Sequence, residues 1–160
     1  MKFEKYISDE VERAKKFTRP CYPFIWDIEG VCVIVNPKVC QKLGVTLLDV
    51  ITGGTIFING DPLIIVSQRP DFNNPLHKAL LYHELGHVVN EDININSDNF
   101  LKVEIAADKF SADRVGIEPI QTLLVTIYKE YKQRNILYPF VQSVLTRRLQ
   151  ALGYQTDSLL

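Results

Sequence analysis

The chain has 160 residues, of which 46% are hydrophobic and 23% are charged, and its formal net charge is −1. This composition is typical of a folded globular protein and excludes a disordered chain; 160 residues suffice for one domain with a sizeable core and no disulfides. A net charge so close to zero provides no bulk attraction to nucleic acid or to acidic membranes. We therefore predict a single domain over residues 1–160, with neither nucleic acid nor a membrane as partner.

The cysteine content and the hydropathy of the chain predict a cytoplasmic protein. The first twenty residues interleave charged and apolar residues and contain no continuous apolar run of the kind found in a signal peptide. No apolar stretch approaches the roughly 20 residues that span a bilayer. Cys21, Cys32 and Cys40 are odd in number, which argues against a closed disulfide framework. Their roles and the oligomeric state of the protein stay open at this stage.

The N-terminal part of the chain predicts a helix followed by two strands. Apolar residues recur at helical spacing over residues 2–17, with charged residues between them, and Pro20 and Pro23 end this amphipathic helix. Residues 24–35, FIWDIEGVCVIV, predict two apolar strands with a turn near Glu29-Gly30.

A short helix and a hairpin are expected next. The helix begins after Asn36, in PKVCQKLGV, and Gly44 is its predicted stop. The β-rich runs TIFI (55–58) and PLIIVSQ (62–68) flank Asn59-Gly60-Asp61, and Asn-Gly is a strong short-range hairpin signal.

The remainder of the chain predicts helices that begin at capping residues or prolines. The first helix is predicted to begin at Asn73-Asn74-Pro75, and the second, over about 99–115, to be capped by Ser97 or Asp98 and stopped by Gly116. A third helix is predicted from Pro119 to about residue 134, and a last one from Pro139 to a stop at Gly153. The fold class is therefore α+β: a small, mostly antiparallel sheet packed with helices, in which a central helix is followed by a helical C-terminal half.

The first of these helices carries a pattern of metal-binding residues. Residues 80–90, LLYHELGHVVN, place His83 and His87 four positions apart, with Glu84 beside the first. Positions i and i+4 of an α-helix differ by about 40° in direction and about 6 Å along the axis, so both imidazoles can bind one metal ion. Glu84 lies about 100° round from His83, where it can reach a water on the metal without being a ligand, as in H-E-x-x-H metalloproteases.

The other faces of this helix support that orientation. The apolar residues on the opposite side are expected to be buried and to turn the histidines away from the deepest core; they are Leu81, Leu85, Val88 and Val89. Gly86 leaves one flank bare, which allows another segment to approach closely. The alternative interpretation is a partly exposed polar face that binds no metal.

A catalytic zinc site usually has three protein ligands and one open position, so a ligand from elsewhere is needed. Glu91 lies about 12 Å from His83 along a straight helix, too far for one ion. The cysteines lie upstream, and a free Cys is often only a small buried hydrophobe. Glu104, in FLKVEIAADKFSADRVG (100–116), is the better candidate, because it shares a helix face with Asp108 among small residues. Asp108 would accept a hydrogen bond from the ring nitrogen of His83 that does not bind metal. A solvated acidic face is the alternative.

HELGH followed by EIAAD resembles the gluzincins, the thermolysin-like zinc peptidases. With the F-S-A-D that follows, it is most similar to the compact ImmA/IrrE-type metallopeptidases, over about residues 62–116. The resemblance implies His83, His87 and Glu104 as zinc ligands, Glu84 as general base and Asp108 behind His83. By analogy with other gluzincins, the strand that ends near Gln68 would form the edge of the substrate cleft.

Two features depart from the family. No helix-turn-helix or sensor domain is recognisable in the chain. The segment TRRLQALG is also similar to the membrane-linked gluzincin peptidases, whose transmembrane segments are missing here.

The sequence therefore predicts a zinc metallopeptidase that hydrolyses peptide bonds. Its expected partners are a protein or peptide substrate and, as a further candidate, a regulatory protein. The alternative is a non-catalytic zinc-binding or protein-interaction module that keeps the same fold. The donor that would stabilise the oxyanion is left open among five residues, namely His77, Tyr22, Tyr128, Tyr131 and Tyr138.

Overall fold

This computed structural model describes residues 25–36, 38, 40 and 50–159. The amphipathic helix predicted over residues 2–17 lies outside the described residues, as does most of the short helix predicted in PKVCQKLGV. The single domain predicted over residues 1–160 includes these parts and stays a prediction.

The described strands form one mixed sheet. They are β1 (Ile25–Ile28), β2 (Val31–Val35), β3 (Gly53–Ile58) and β4 (Asp61–Val66), in the spatial order β1-β2-β4-β3. β1 with β2 and β3 with β4 are antiparallel pairs, whereas β2 and β4 are parallel. Two predicted hairpins are thus joined side by side, and the sheet is mostly antiparallel as expected.

The turns of both hairpins have the conformation that their sequences predict. Glu29 and Gly30 have φ angles of 49° and 84°, and Asn59 and Gly60 have φ angles of 53° and 89°. Two successive residues with positive φ are characteristic of type I′ turns, whose twist matches that of the strands they join. Each pair of strands is therefore connected by the tightest common hairpin.

Four helices follow the sheet in the described part of the chain, namely α1 (Pro75–Val89), α2 (Phe100–Val115), α3 (Ile117–Gln133) and α4 (Pro139–Ala151), with a 3-10 turn at Thr156–Ser158. This order confirms the α+β class and the helical C-terminal half. α3 begins two residues before the expected Pro119, which therefore lies inside the first turn. A proline is tolerated there because the N–H groups of the first turn have no partner within the helix, so no hydrogen bond is lost.

The predicted cap of α2 is wrong. The N-cap position belongs to Asn99, not to Ser97 or Asp98. The side chain of Asn96 accepts hydrogen bonds from the main-chain N–H groups of Asp98 and Asn99, at 2.9 and 3.2 Å, while Asn99 Oδ1 accepts one from the N–H of Asn96 at 2.8 Å. This reciprocal Asn turn closes the loop before the helix, so the helix starts one residue later than an Asp98 cap and two residues later than a Ser97 cap would place it.

The main core lies between one face of the sheet and the helices. Its fully buried members come from the sheet, α1, α3 and α4, and include Val33, Ile64, Leu81, Leu124 and Leu149. A smaller cluster on the other face contains Ile34, Cys40, Leu63 and Ile65. Successive residues of a strand point to opposite faces, which explains why every residue of β4 from Leu63 to Val66 is buried. α1 lies across the first face and packs against α2, α3 and β3.

Candidate metal centre

α1 carries the two histidines in a buried setting. Its N-cap residue Asn74 accepts a hydrogen bond from the N–H of Leu76 at 2.9 Å, and Pro75 occupies the first helical position, as predicted. His83, Glu84 and His87 are only 5%, 4% and 6% exposed. The helix is buried on most of its circumference, so the partly exposed polar face considered above is not what the structure shows.

The expected apolar face of α1 is only partly correct. Leu81 and Leu85 are buried in the core, but Val89 is 56% exposed. Val89 is the last residue of the helix. The helical periodicity therefore predicted the burial of the central residues correctly, but not that of the last residue.

A close approach between α1 and α2 brings the two halves of the site together. A Cβ atom on Gly86 would lie 3.0 Å from Cα of Ala107, so the helices pack backbone to backbone at this point. The hydroxyl group of the buried Ser111 donates a hydrogen bond to the main-chain oxygen of Ala79 at 2.7 Å. Of the small residues around Glu104 and Asp108, Ala107 and Ser111 lie in this contact, whereas Ala106 is exposed. Glu104 and Asp108 are thereby held beside the histidines.

His83, His87 and Glu104 form a group that could hold a metal ion. The two Nε2 atoms are 3.2 Å apart, and each lies 3.5 Å from one carboxylate oxygen of Glu104. A tetrahedral ion with ligands at about 2.0–2.1 Å has ligand atoms about 3.3 Å from one another. The two 3.5 Å distances run to different oxygens of Glu104, and the ligand atoms of the three side chains all lie within 4.8 Å of one another, which is close enough for one metal ion. Among the described cysteines, neither Cys32 nor Cys40 belongs to the group, and Cys21 lies outside the described residues.

A carboxylate lies against the other ring nitrogen of each histidine. Asp108 Oδ1 is 2.8 Å from Nδ1 of His83, although the contact departs from linear hydrogen-bond geometry, and Asp92 Oδ2 is 3.0 Å from Nδ1 of His87. The expected contact between Asp108 and His83 is therefore present. Carboxylates at this position fix the orientation and the tautomer of a metal-binding imidazole. Both rings are held so that Nε2 faces Glu104.

The contact between Asp92 and His87 was not predicted, because the prediction treated α1 as a straight helix up to Glu91, whereas α1 ends at Val89. Glu91 has a φ of 52°, and the N–H groups of Glu91 and Asp92 donate to the carbonyl oxygens of Val88 and His87 at 3.1 and 3.0 Å. This is the Schellman arrangement at a helix C-terminus. It turns the chain back on itself and places Asp92 beside His87. An acidic residue just past the helix end was the only sequence signal for it.

Arg148 of α4 is the second residue at the candidate centre that the sequence interpretation missed. Its Nε and Nη2 atoms each donate to one oxygen of Asp108 at 2.7 Å, and Nη1 lies 2.7 Å from Oε2 of Glu104. The side chain is only 13% exposed. The guanidinium of Arg148 thus binds two carboxylates, that of the candidate metal ligand Glu104 and that of Asp108 beside His83. TRRLQALG had suggested a family likeness but no role for this arginine.

These contacts determine the charge states of the group. Burial by itself would raise the pKa of both carboxyl groups, but Arg148 and the histidines outweigh it: the pKa of Glu104 lies well below its usual range and that of Asp108 is lowered to about 2. Burial would lower the pKa of His83, yet Asp108 and Glu104 raise it to about 10. Without metal, two anionic carboxylates therefore lie between two cations, His83 and Arg148.

Glu84 lies at the same centre and is oriented from the sheet. The hydroxyl group of Thr55 in β3 is 2.8 Å from Oε2 of Glu84 and 2.9 Å from its main-chain oxygen. A hydroxyl group has one proton, so it donates to one of these acceptors at a time. Thr55 therefore links the edge of the sheet to the carboxylate predicted to be the general base.

A cavity of about 460 Å³ adjoins these residues. It extends from Gly53, Gly54 and Thr55 of β3, across the histidines and Glu104, to apolar side chains of α3 and α4. Because β3 is the edge strand and β4 lies inside the described sheet, the cleft edge is β3 and not the strand near Gln68. That expectation was wrong, since the order of strands is set by pairing between hairpins and not by the order in the sequence.

The candidate oxyanion donors are distributed unevenly around this cavity. Tyr131 lines it, and burial raises the pKa of its hydroxyl group. Tyr128 is buried, with its hydroxyl oxygen accepting from Gln142 at 3.2 Å, and Tyr138 is exposed. His77 accepts a hydrogen bond from the N–H of Asp71 and does not line the cavity, while Tyr22 lies outside the described residues.

No helix in the described part of the chain is long and apolar enough to cross a membrane. Comparison of the chain with protein-family models, with curated proteins and with solved structures finds no match in any of the three. The geometry itself supports one conclusion: this α+β fold gathers His83, His87 and Glu104 into a buried group that could hold a metal ion.

Proposed function

We propose that this protein is a zinc-dependent metallopeptidase of the gluzincin type, which hydrolyses peptide bonds in protein or peptide substrates. The observation that carries the proposal is the convergence of His83 Nε2, His87 Nε2 and the Glu104 carboxylate, all within 4.8 Å of one another, beside a cavity. Two imidazoles and one carboxylate are a ligand set found in catalytic zinc sites, which keep a fourth position for water or substrate. The likeness of HELGH and EIAAD to the ImmA/IrrE-type peptidases supports the same proposal.

The residues of the chain have separate roles in this reaction. When bound, zinc makes water acidic enough to lose a proton near neutral pH and polarises a peptide carbonyl. Glu84 accepts the proton and later delivers it to the leaving amine, while Thr55 orients its carboxylate. Asp108 and Asp92 keep the two rings in place.

The test separates metal binding from catalysis. The purified protein is expected to contain about one zinc per chain, and His83→Ala or Glu104→Ala should lose most of it. Glu84→Gln should retain zinc and lose all hydrolysis of a broad peptide library, because the substitution removes the base and no ligand. Full zinc content in both ligand variants would refute the site. Zinc-dependent partner binding without any cleavage would favour the alternative of a non-catalytic module.

A further inference from the structure

An exposed apolar rim borders the cavity beside the candidate metal centre. The rim consists of Ile95, from the loop between α1 and α2, and of Phe100 and Phe140, which all line the cavity. The two phenyl rings lie 6.5 Å apart, Phe140 is 68% exposed and Ile95 is 42% exposed. Ile93 and Tyr138, each two positions from a member of the rim, are exposed as well. Contiguous apolar surface of this kind usually marks a place that another segment or molecule covers.

The loop that carries Ile95 is acidic. Residues 90–99, NEDININSDN, contain three carboxylates and no cation. Asp92 contacts His87, whereas Glu91 and Asp98 are exposed. An occupant that combines apolar with cationic side chains is therefore complementary to this side of the rim.

The chain itself contains a segment with both properties. Residues 2–17, called the N-terminal segment below, lie outside the described residues, and their apolar side chains recur at helical spacing. RAKKFTR, residues 13–19, contains four cations and no anion. An isolated helix of about 15 residues is marginal in water and gains most of its stability from packing its apolar face. The segment thus needs an apolar surface, and the rim offers one.

The register of the sheet brings the segment within reach of the rim. Ile25 pairs with Ile34, Ile34 with Ile65, and Ile65 with Gly54, so that these residues form one row across the sheet. Since neighbouring strands are about 4.8 Å apart, Ile25 lies about 14 Å from Gly54. Gly54 lines the cavity, and residues 18–24, when extended, span up to about 24 Å. The connection is therefore long enough to carry the segment to the entrance of the cavity.

The second face of the described sheet is a poorer place for the segment. Ile34, Leu63 and Ile65, at the centre of that face, are at most 7% exposed. Their apolar area is already removed from water, so a helix packed there would gain little free energy from them.

We propose that the N-terminal segment packs as an amphipathic helix on the apolar rim, with the cations of RAKKFTR beside Glu91 and Asp98, and covers the entrance of the cavity. The docking itself does not depend on the reaction. Its consequence rests on the proposed peptidase function: the covered form does not hydrolyse peptides, and the segment has to leave the rim before a substrate enters.

Photocrosslinking in the full chain tests the docking without turnover. Phe140 is replaced by p-benzoyl-phenylalanine, and mass spectrometry maps the products in a mixture of unlabelled and isotope-labelled chains. Crosslinks within one chain to residues 2–17 are expected. The same replacement of Phe72, which is also exposed but lies beside Ile28 at the other end of β1, should give none. No product from position 140 to the segment, equal yields from both positions, or products only between two chains would overturn the proposal.

A matched pair of double variants tests the apolar face of the segment. Ile7→Asp with Phe17→Asp places two charges in that face, and it should lower the yield of the crosslink from position 140 at least about tenfold. Ser8→Asp with Thr18→Asp adds the same charge outside the apolar positions and should leave the yield close to that of the parent. Equal yields in the two double variants would contradict docking through the apolar face.

The docking and the peptidase function can fail independently. A crosslink from position 140 to the segment, with no hydrolysis by any variant, would refute the peptidase and leave the docking standing. Hydrolysis that disappears in Glu84→Gln, without that crosslink, would refute the docking alone. If the crosslink is present, Ile7→Asp with Phe17→Asp should hydrolyse a peptide library faster than the wild type, and an equal rate would refute the covering of the entrance.

Discussion

Replacing Arg148 by methionine would test how the site holds its charges. Methionine preserves most of the length of the side chain and removes the guanidinium that contacts Asp108 twice and Glu104 once, each at 2.7 Å. Among the described residues, the two carboxylates would then keep the histidines as partners, with His83 beside both and His87 beside Glu104. Removing one partner of a buried ion pair costs about 3–5 kcal/mol. Because His83 compensates in part, we expect the free energy of unfolding in chelator at pH 7 to fall by about 3 kcal/mol.

The loss of stability in Arg148→Met should depend on pH. In the wild-type protein, burial would raise the pKa of Asp108, yet Arg148 and His83 lower it to about 2, below its value in the unfolded chain. The resulting stabilisation, on the order of 2 kcal/mol, is present above about pH 4 and is lost as the pH falls towards 2. Removing Arg148 takes away the largest cause that lowers the pKa of both carboxyl groups, so their pKa in the folded variant should rise. The carboxyl groups of the variant then take up protons at a higher pH than those of the wild type, so the deficit of the variant should shrink as the pH falls from 7 to 4.

Urea unfolding followed by circular dichroism measures both effects, with chelator and with excess zinc. Zinc should restore part of the lost stability, because the dication replaces the missing positive charge at Glu104. Arg147→Met, at the neighbouring exposed position, should change the free energy of unfolding by no more than about 0.5 kcal/mol. A loss below about 1 kcal/mol for Arg148→Met in chelator, or a deficit that does not change between pH 7 and 4, would refute the reasoning.

Three further predictions concern the metal centre itself. Asp108→Ala should weaken zinc binding about 10- to 100-fold in competition with a chelator, while the exposed Asp113→Ala should bind like the wild type; equal affinities would contradict the role of Asp108. Because Asp108 and Glu104 raise the pKa of His83 to about 10 without metal, zinc must displace a proton from this ring. Calorimetry in buffers of different ionisation enthalpy at pH 7 should therefore detect release of at least about one proton on zinc binding. A zinc affinity that does not rise with pH below 9 would argue against this proton release. Thr55→Val should retain zinc and reduce kcat about 10- to 100-fold with little change in KM, whereas Thr55→Ser, which keeps the hydroxyl group, should keep the wild-type kcat. A reduced kcat in both variants, or a change in KM alone, would speak against positioning of the general base by Thr55.

Much of the candidate site follows from rules that act within a few residues of sequence. The helical repeat places His83 beside His87, and Glu104 on the same face as Asp108. The absence of a side chain at Gly86 predicted a close helix contact, and the structure has one. The hairpins followed equally from residues that tolerate positive φ. Such features need only local geometry, so the sequence sufficed for them.

Local rules failed where the chain changes direction or where another element covers it. A straight helix excludes Glu91 as a ligand, but it does not reveal that a positive φ at this residue brings Asp92 back to His87. The burial of both histidines also depends on elements distant in sequence, because α2 and β3 pack against α1. The order of strands, which makes β3 the edge of the cleft, is another result of pairing between distant segments.

The residue pattern thus predicts the metal-binding motif, the two hairpins and the helical second half, whereas packing between distant elements sets which charges meet at the centre. Arg147 and Arg148 are equivalent as sequence letters, and either could have been a surface residue. The burial of Leu145 and Leu149 fixes the rotation of α4, which directs Arg148 inward to carboxylates 40 and 44 positions earlier in the chain and leaves Arg147 in solvent. A buried charge is stable only where the packing of several elements provides its partners, and that condition belongs to the folded chain as a whole.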